Sequence, residues 1–301
     1  MTTFEPIAIV GTSCILPGAL SPGELWRNVL DGRDLLASPP PGHWGIDPHS
    51  LLHPMGEARG DRVASITGGY VDGFTAVFNA AEFDEDTSTL DPLFQWTLWG
   101  AREALRQAGH DDSRPCGRAG LVLGNLGYPS RSMATLAEAL WLGAEPPDPR
   151  NRFHFGLPAQ LAARVLKLGR GGFSIDAACA SSLYAVKLAC DQLHDREADL
   201  MVAGGINRAD DLFLHAGFTA LGALSPTGQS RPFHRDADGL VPAEGAAFLA
   251  LKRLEDAVVA RDTVLGVIRG IGCSNDGRGA GLLTPSREGQ VRAMKAAYET
   301  S

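Results

Sequence analysis

The sequence predicts an α/β protein whose mainly parallel sheet is covered on both faces. Short apolar runs alternate with helical stretches of about 12–15 residues, the pattern that crossover connections between parallel strands require. Glycine (36 residues) and proline (19) are plentiful but scattered, and aromatic residues make up only 7%. That suits a turn-rich chain packed through small contacts and not a low-complexity tract. No internal repeat at a fixed period is present.

The elements follow in order. Residues 7–11, Ile-Ala-Ile-Val-Gly, read as a short buried strand closing on glycine. Ser21-Pro22-Gly23-Glu24 reads as a helix start, with Ser at the N-cap and Glu at the third helical position of a capping box. Residues 37–60 hold Pro39-Pro40-Pro41 together with His43, His49 and His53, and read as a long irregular surface loop. Residues 94–108 read as a helix. Phe94, Leu98, Ala101, Leu105 and Ala108 form its apolar stripe, Arg102, Glu103, Arg106 and Gln107 face away, and Gly109 stops it. Residues 121–124 read as another buried strand, and the Pro-rich residues 145–149 as a loop. Residues 172–176 predict a strand that runs into a helix from Cys179, and residues 200–205 a further strand. Residues 246–251 and 264–271 predict two late strands around a short helix at 254–261. Residues 286–301 begin a helix with no return strand after it, which is unusual for a finished α/β domain.

The chain has 301 residues, 44% of them hydrophobic and 21% charged, and a formal net charge of −8. This is an ordinary globular composition and excludes a disordered chain. The acidic balance argues against nucleic acid or an anionic membrane as a partner. No stretch reads as a membrane span or a signal peptide. The five cysteines, Cys14, Cys116, Cys179, Cys190 and Cys273, are odd in number and none has CxxC spacing. They point to a reducing, cytoplasmic setting without disulfides or a zinc knuckle.

One of them stands at a chemically distinctive place. Cys179 lies where a buried strand turns into a helix, among Ala177, Ala178, Ala180, Ser181 and Ser182. Cys179, Leu183, Val186, Cys190 and Leu193 then form an apolar stripe, with Lys187, Asp191 and His194 on the other face. In the first turn of a helix, unpaired main-chain N–H groups and the helix dipole stabilise an anion such as a thiolate. On this geometry alone the position is open between a nucleophile and a buried structural cysteine. Cys190, mid-helix, reads as core packing.

Residues 176–183, Asp-Ala-Ala-Cys-Ala-Ser-Ser-Leu, resemble the active-site signature of β-ketoacyl synthases, the condensing enzymes of fatty-acid and polyketide assembly. Further matches run in the family's order along essentially the whole chain. They include Leu16-Pro17-Gly18, Leu90-Asp91-Pro92, Asp199 to Gly205, Leu224-Ser225-Pro226-Thr227-Gly228, Arg231-Pro232-Phe233, Ala237-Asp238-Gly239, Glu244-Gly245-Ala246, Asn275-Asp276-Gly277 and Thr284-Pro285-Ser286. The wording of Pro92 to Trp96 and Leu240 to Gly245 is most similar to synthases of the iterative enediyne and polyunsaturated fatty-acid type. The resemblance implies a thiolase-like layered α-β-α-β-α sandwich. Residues 3–256 would form its N-terminal half, and residues 262–301 would begin the C-terminal half. It implies an acyltransferase in which Cys179 takes an acyl group from the phosphopantetheine of an acyl carrier protein. A malonyl thioester then loses CO2 and attacks the acyl-enzyme, with no bound cofactor or metal. It also implies a homodimer in the complete enzyme.

The family binds and decarboxylates its malonyl unit with two histidines, in His-Gly-Thr-Gly-Thr and Asn-x-Gly-His stretches. Neither motif surrounds His43, His49, His53, His110, His154, His194, His215 or His234. The expectation is therefore a truncated chain that does not condense by itself and that aggregates or pairs through an uncovered helix face and sheet edge. The alternative is a non-catalytic, carrier-binding or partner half of a condensing complex. A coenzyme A thiolase is disfavoured by residues 238–245. Gly124-Asn125-Leu126-Gly127 and Gly277 to Gly281 read as loop glycines, since neither completes a dinucleotide fingerprint. The loop histidines read as surface residues and Asp84-Glu85-Asp86 as a solvated turn. Ser181 lacks the glycines of a hydrolase elbow.

Overall fold

A computed structural model describes residues 4–53, 61–110, 116–145, 147–152, 154–208, 211–278 and 284–301. The elements run β1 (Ile7–Ile15), α1 (Pro22–Leu30), β2 (Leu36–Ala37), β3 (Gly68–Gly69), α2 (Phe74–Val77), α3 (Pro92–Gln107), β4 (Ala119–Asn125), α4 (Arg131–Trp141), α5 (Leu157–Val165), β5 (Gly172–Ile175), α6 (Ser181–His194), β6 (Leu200–Asn207), α7 (Asp211–Ala220), β7 (Gly245–Arg253), α8 (Leu254–Ala260), β8 (Gly266–Ile268) and α9 (Arg287–Thr300). The sequence left α4, α5 and α7 undivided among its loops and helical stretches. Residues 54–60 of the histidine-bearing loop and residues 279–281 of the second glycine run lie outside the described residues.

The main sheet has six strands in the order β5-β4-β6-β7-β1-β8. It is mixed, which corrects the expected mainly parallel sheet. β4 pairs in parallel with β5 and β6, while β7 is antiparallel to β6 and β1, and β8 is antiparallel to β1. Both faces of the sheet are covered, so an inner antiparallel strand is as uniformly apolar as a parallel one, and direction leaves no trace in composition.

Alternate residues of each strand feed two cores. Leu121 and Leu123 of β4, Val202 of β6 and Phe248 of β7 face α3 and α5. Val122, Met201, Ala203 and Leu251 face α6, meeting its Ala185, Ala189, Cys190 and Leu193. The result is three layers with α3 and α5 on one side and α6 on the other. Phe248 is the tightest fit on the first side: its ring lies where a Cβ on Gly100 of α3 or Gly204 of β6 would come, at 2.4 and 2.2 Å. Emptying that slot with Phe248→Ala removes about 3–5 kcal/mol.

Helix ends are fixed by side chains. Ser21 caps α1 as expected, accepting from Glu24 N–H at 3.3 Å, but the Glu24 carboxylate reaches back to Leu20 N–H at 2.8 Å instead of the N-cap residue. Asp91 caps α3 through Leu93 N–H and accepts a second bond from Ser130 Oγ at 2.7 Å. At the far end of α6, buried Arg253 donates to the carbonyls of Leu193 (2.9 Å) and Ala198 (2.7 Å) and to Asp199 (2.6 Å), neutralising the negative helix terminus. Arg102, expected on the outer face of α3, is instead buried. It pairs with Glu82 at 2.8 Å and lies over the Phe83 ring at 4.3 Å.

Candidate active site

β4, β5 and β6 end side by side: Gly124 is in register with both Ile175 and Gly205. The carboxyl ends of neighbouring parallel strands are where open α/β sheets form crevices for ligands. The chain leaves β5 at this edge and makes the turn that carries Cys179.

The helix does not begin at Cys179. Residues Ala178–Ala180 form a single 3-10 turn, and α6 starts after it at Ser181. The thiol therefore stands just ahead of the α-helix and not inside its first turn. The cause is Ala178, whose φ of +50° is left-handed and interrupts the strand-to-helix run. Such backbone costs an L-residue on the order of 1–2 kcal/mol and persists only where its surroundings over-determine it. Four contacts do so. Asp176 accepts from Ala178 N–H (2.9 Å) and from Gly127 N–H (2.8 Å). Ser181 Oγ accepts from Ala177 N–H (2.9 Å) and donates to Ala178 C=O (2.7 Å).

The start of α6 sits directly on the sheet. A Cβ on Gly124 would come within 2.6 Å of the Ser181 carbonyl carbon, and one on Gly205 within 2.7 Å of Ser182 Cβ. Close approach of α6 to the sheet therefore requires glycine at both of these strand ends. Their value lies in what they admit, so nothing in their spacing signalled it.

The five cysteines separate sharply. Cys179 and Cys273 are exposed, Cys14 and Cys190 buried, and Cys116 half-buried. Burial, with a smaller push from Asp191, raises the Cys190 thiol to about 12. Burial and then Glu24 raise Cys14 to about 11, and burial moves Cys116 upward. Cys190 is thus an inert core residue, as its mid-helix place implied. The predicted stripe of α6 is only partly right: Leu183 is exposed, and the face against the sheet is Ser181, Ala185, Ala189, Cys190 and Leu193.

The other motif residues act mainly as clips. Asp238 accepts from Thr227 Oγ1 and Ser225 Oγ, both at 2.7 Å, and these bonds hold its carboxyl below the usual range. The Glu244 side chain is fully buried; it accepts from Val71 N–H at 2.6 Å and faces Arg208 at 3.1 Å and His43 at 3.6 Å. His43 is therefore drawn inward, against the expectation of a surface histidine. The acidic turn is likewise paired, Asp84 with Lys167 at 2.8 Å and Glu85 with Arg164 at 2.7 Å. A cavity of about 340 Å³ between Phe83, Arg102, His110 and Lys167, at the C-terminal ends of α3 and α5, does not include Cys179 in its lining. Among the described residues no group of three or more His, Cys, Asp or Glu is placed to hold a metal ion, and no helix is long and apolar enough to cross a membrane.

The chain as a whole is similar to known proteins. The family profile "Beta-ketoacyl synthase, N-terminal domain" matches residues 4–257. The chain is 35% identical over 301 residues to a mycocerosic acid synthase-like polyketide synthase of Mycolicibacterium smegmatis, covering 98% of this chain and 14% of that protein. It is 35% identical over 312 residues to the PKS-NRPS hybrid synthetase ATPKS of Aspergillus niger, covering 98% and 16%. Among solved structures, the PfaC keto synthase-chain length factor superposes with a TM-score of 0.91 at 34% identity, over 98% of this chain and 34% of that one. The ketosynthase from module 6 of the bacillaene synthase of Bacillus subtilis 168 superposes with a TM-score of 0.80 at 29% identity, over 98% and 48%. The chain thus spans about one-seventh of those synthases and a third to a half of those solved chains.

Proposed function

The chain belongs to the β-ketoacyl synthase family, and on that premise we propose that it is the acyl-accepting part of a polyketide ketosynthase, with Cys179 as nucleophile. Its fold is that of thiolase-like ketosynthases, with a central mixed sheet. The observation that carries the proposal is the exposed Cys179, presented by a left-handed turn at the carboxyl ends of three parallel strands. A thiol suits this chemistry because it attacks an acyl thioester to give a second thioester, which is a good acceptor for a carbon nucleophile. The donor is an acyl group on the phosphopantetheine of an acyl carrier protein, and the extender is a malonyl thioester. The sequence wording of residues 240–245 supports an iterative type of synthase. Residues 3–256 serve as the N-terminal half, and residues 262–301 begin the other.

Condensation needs the two family histidines, which none of the eight histidines here supplies, so this chain is expected to load an acyl group without elongating it. A homodimer of the complete enzyme is part of the same proposal, supported by β5, an edge strand with exposed Phe173. The non-catalytic partner reading is the weaker one, because a docking half has no use for an exposed cysteine on a strained turn.

The test is incubation with a short-chain acyl thioester followed by peptide mass spectrometry. One acyl group on Cys179 and none on Cys190 is the expected result. No adduct, or equal labelling of Cys179 and Cys273, would contradict the proposal. Addition of malonyl thioester to the acylated chain is expected to release no CO2.

A further inference from the structure

Asp176 divides its two carboxylate oxygens between two loops. Oδ1 accepts from Ala178 N–H at 2.9 Å, and Oδ2 from Gly127 N–H, in the loop after β4, at 2.8 Å. Ser181 works from the other side, with its hydroxyl donating to the Ala178 carbonyl at 2.7 Å. Ala178 is thus held at both of its main-chain polar groups. The consequence falls on the next peptide unit. The described chain has no cis peptide bond, and in a trans peptide plane C=O and N–H point in opposite directions. With the Ala178 carbonyl fixed toward Ser181, the N–H of Cys179 is fixed pointing away from it.

We propose that Asp176, assisted by Ser181, is a positioning residue that aims the Cys179 N–H at the oxygen of an incoming thioester carbonyl. It sets the oxyanion donor and leaves the intrinsic nucleophilicity of the thiol alone. This rests on the reading of Cys179 as acyl acceptor. In that step Cys179 Sγ, its proton released to solvent water, adds to the carbonyl carbon; an S–C bond forms and the π pair moves to oxygen. The oxyanion then returns its pair, the C–S bond to the leaving thiol breaks, and the departing thiolate takes up a proton. Charge stands on the oxygen only between these two events, and an N–H already aimed at it stabilises that moment without reorganising. Alkylation by iodoacetamide differs. The same sulfur displaces iodide from a saturated carbon, and no oxygen becomes an anion.

Two reagents therefore separate aim from reactivity. Wild type, Asp176→Asn and Asp176→Ala are each reacted with a short acyl thioester of N-acetylcysteamine and, separately, with iodoacetamide, and adduct formation at Cys179 is followed by mass spectrometry. Asp176→Ala is expected to slow acylation by roughly 10–100-fold, short of the loss of a whole oxyanion donor, with alkylation little changed. Asp176→Asn keeps an acceptor for one N–H but turns an amide toward the other, and falls between. If Asp176→Ala does not give a cooperative thermal transition, Ser181→Ala removes the opposite anchor and is expected to show the same split. Equal slowing of both reactions, or no slowing of either, overturns the proposal. Wild type that alkylates but never acylates sinks the acyl-acceptor reading and this inference with it. Normal wild-type acylation with unsplit variants sinks this inference alone.

Discussion

Cys179 and Cys190 occupy one strand-turn-helix unit yet have opposite surroundings. Cys190 lies flat against β4 and β6 among Ala185, Ala189 and Met201, sealed from solvent, with its thiol pushed up to about 12 by burial. Cys179 stands outside the sheet edge on a backbone that the fold holds against its preference. The same side chain is packing material in one place and exposed chemistry in the other. What differs is the backbone around each, together with the distance from the core.

The sharpest way to break this comparison is to remove the outer sulfur. Cys179→Ala is expected to abolish acyl loading while the thermal midpoint stays near that of wild type, as read by intact mass and by circular dichroism. Next in size is the seat of the turn. Gly124→Val places carbon where the Ser181 main chain runs, and overpacking of this kind costs about 1–3 kcal/mol. Urea denaturation should register that loss, and acylation of the remaining folded protein should slow, because the start of α6 is displaced.

Smaller and opposite in kind is Cys190→Ser. A hydroxyl without a partner in that core costs about 1–3 kcal/mol, yet the acylation rate at Cys179 should be unchanged at temperatures well below the transition. The pH dependence of stability gives a finer version. The Cys190 thiol keeps its proton in the folded state up to about 12, against 9.0 for an unburied thiol. Above pH 9 the unfolded chain therefore binds fewer protons than the folded one, and stability falls as pH rises through that window. Cys190→Ala should lessen the fall relative to wild type, measured by urea midpoints from pH 8 to 11. An unchanged slope would show that burial does not govern this thiol.

These contrasts mark what the sequence can express. β1, β4, β6 and β7 were legible because their apolar runs are continuous, but the reversed direction of β7 and β8 was not. The turn at Cys179 was legible as a joint between strand and helix. The start of α6 was misplaced by two residues because the left-handed Ala178 depends on Gly127, which lies far away in sequence. Leu183 was assigned to the core by its spacing in a stripe counted from Cys179, whereas the helix approaches the sheet through small residues, Ser181, Ala185 and Ala189. Arg102 was placed outside by its charge, and only the fold brings Glu82 and Phe83 to it. Asp176, Asp238 and Glu244 came into view through resemblance alone, and each proves to tie separate segments of chain together by hydrogen bonds.

The left-handed residue at 178 has one further consequence. Glycine accepts that conformation freely, so Ala178→Gly should raise the melting temperature slightly by relieving strain, provided that the four contacts of the turn hold. Relief would also widen the range of poses the loop samples before a donor arrives. A more heat-tolerant protein obtained at this one position should therefore load its cargo more slowly, and selection for robustness would here work against selection for throughput.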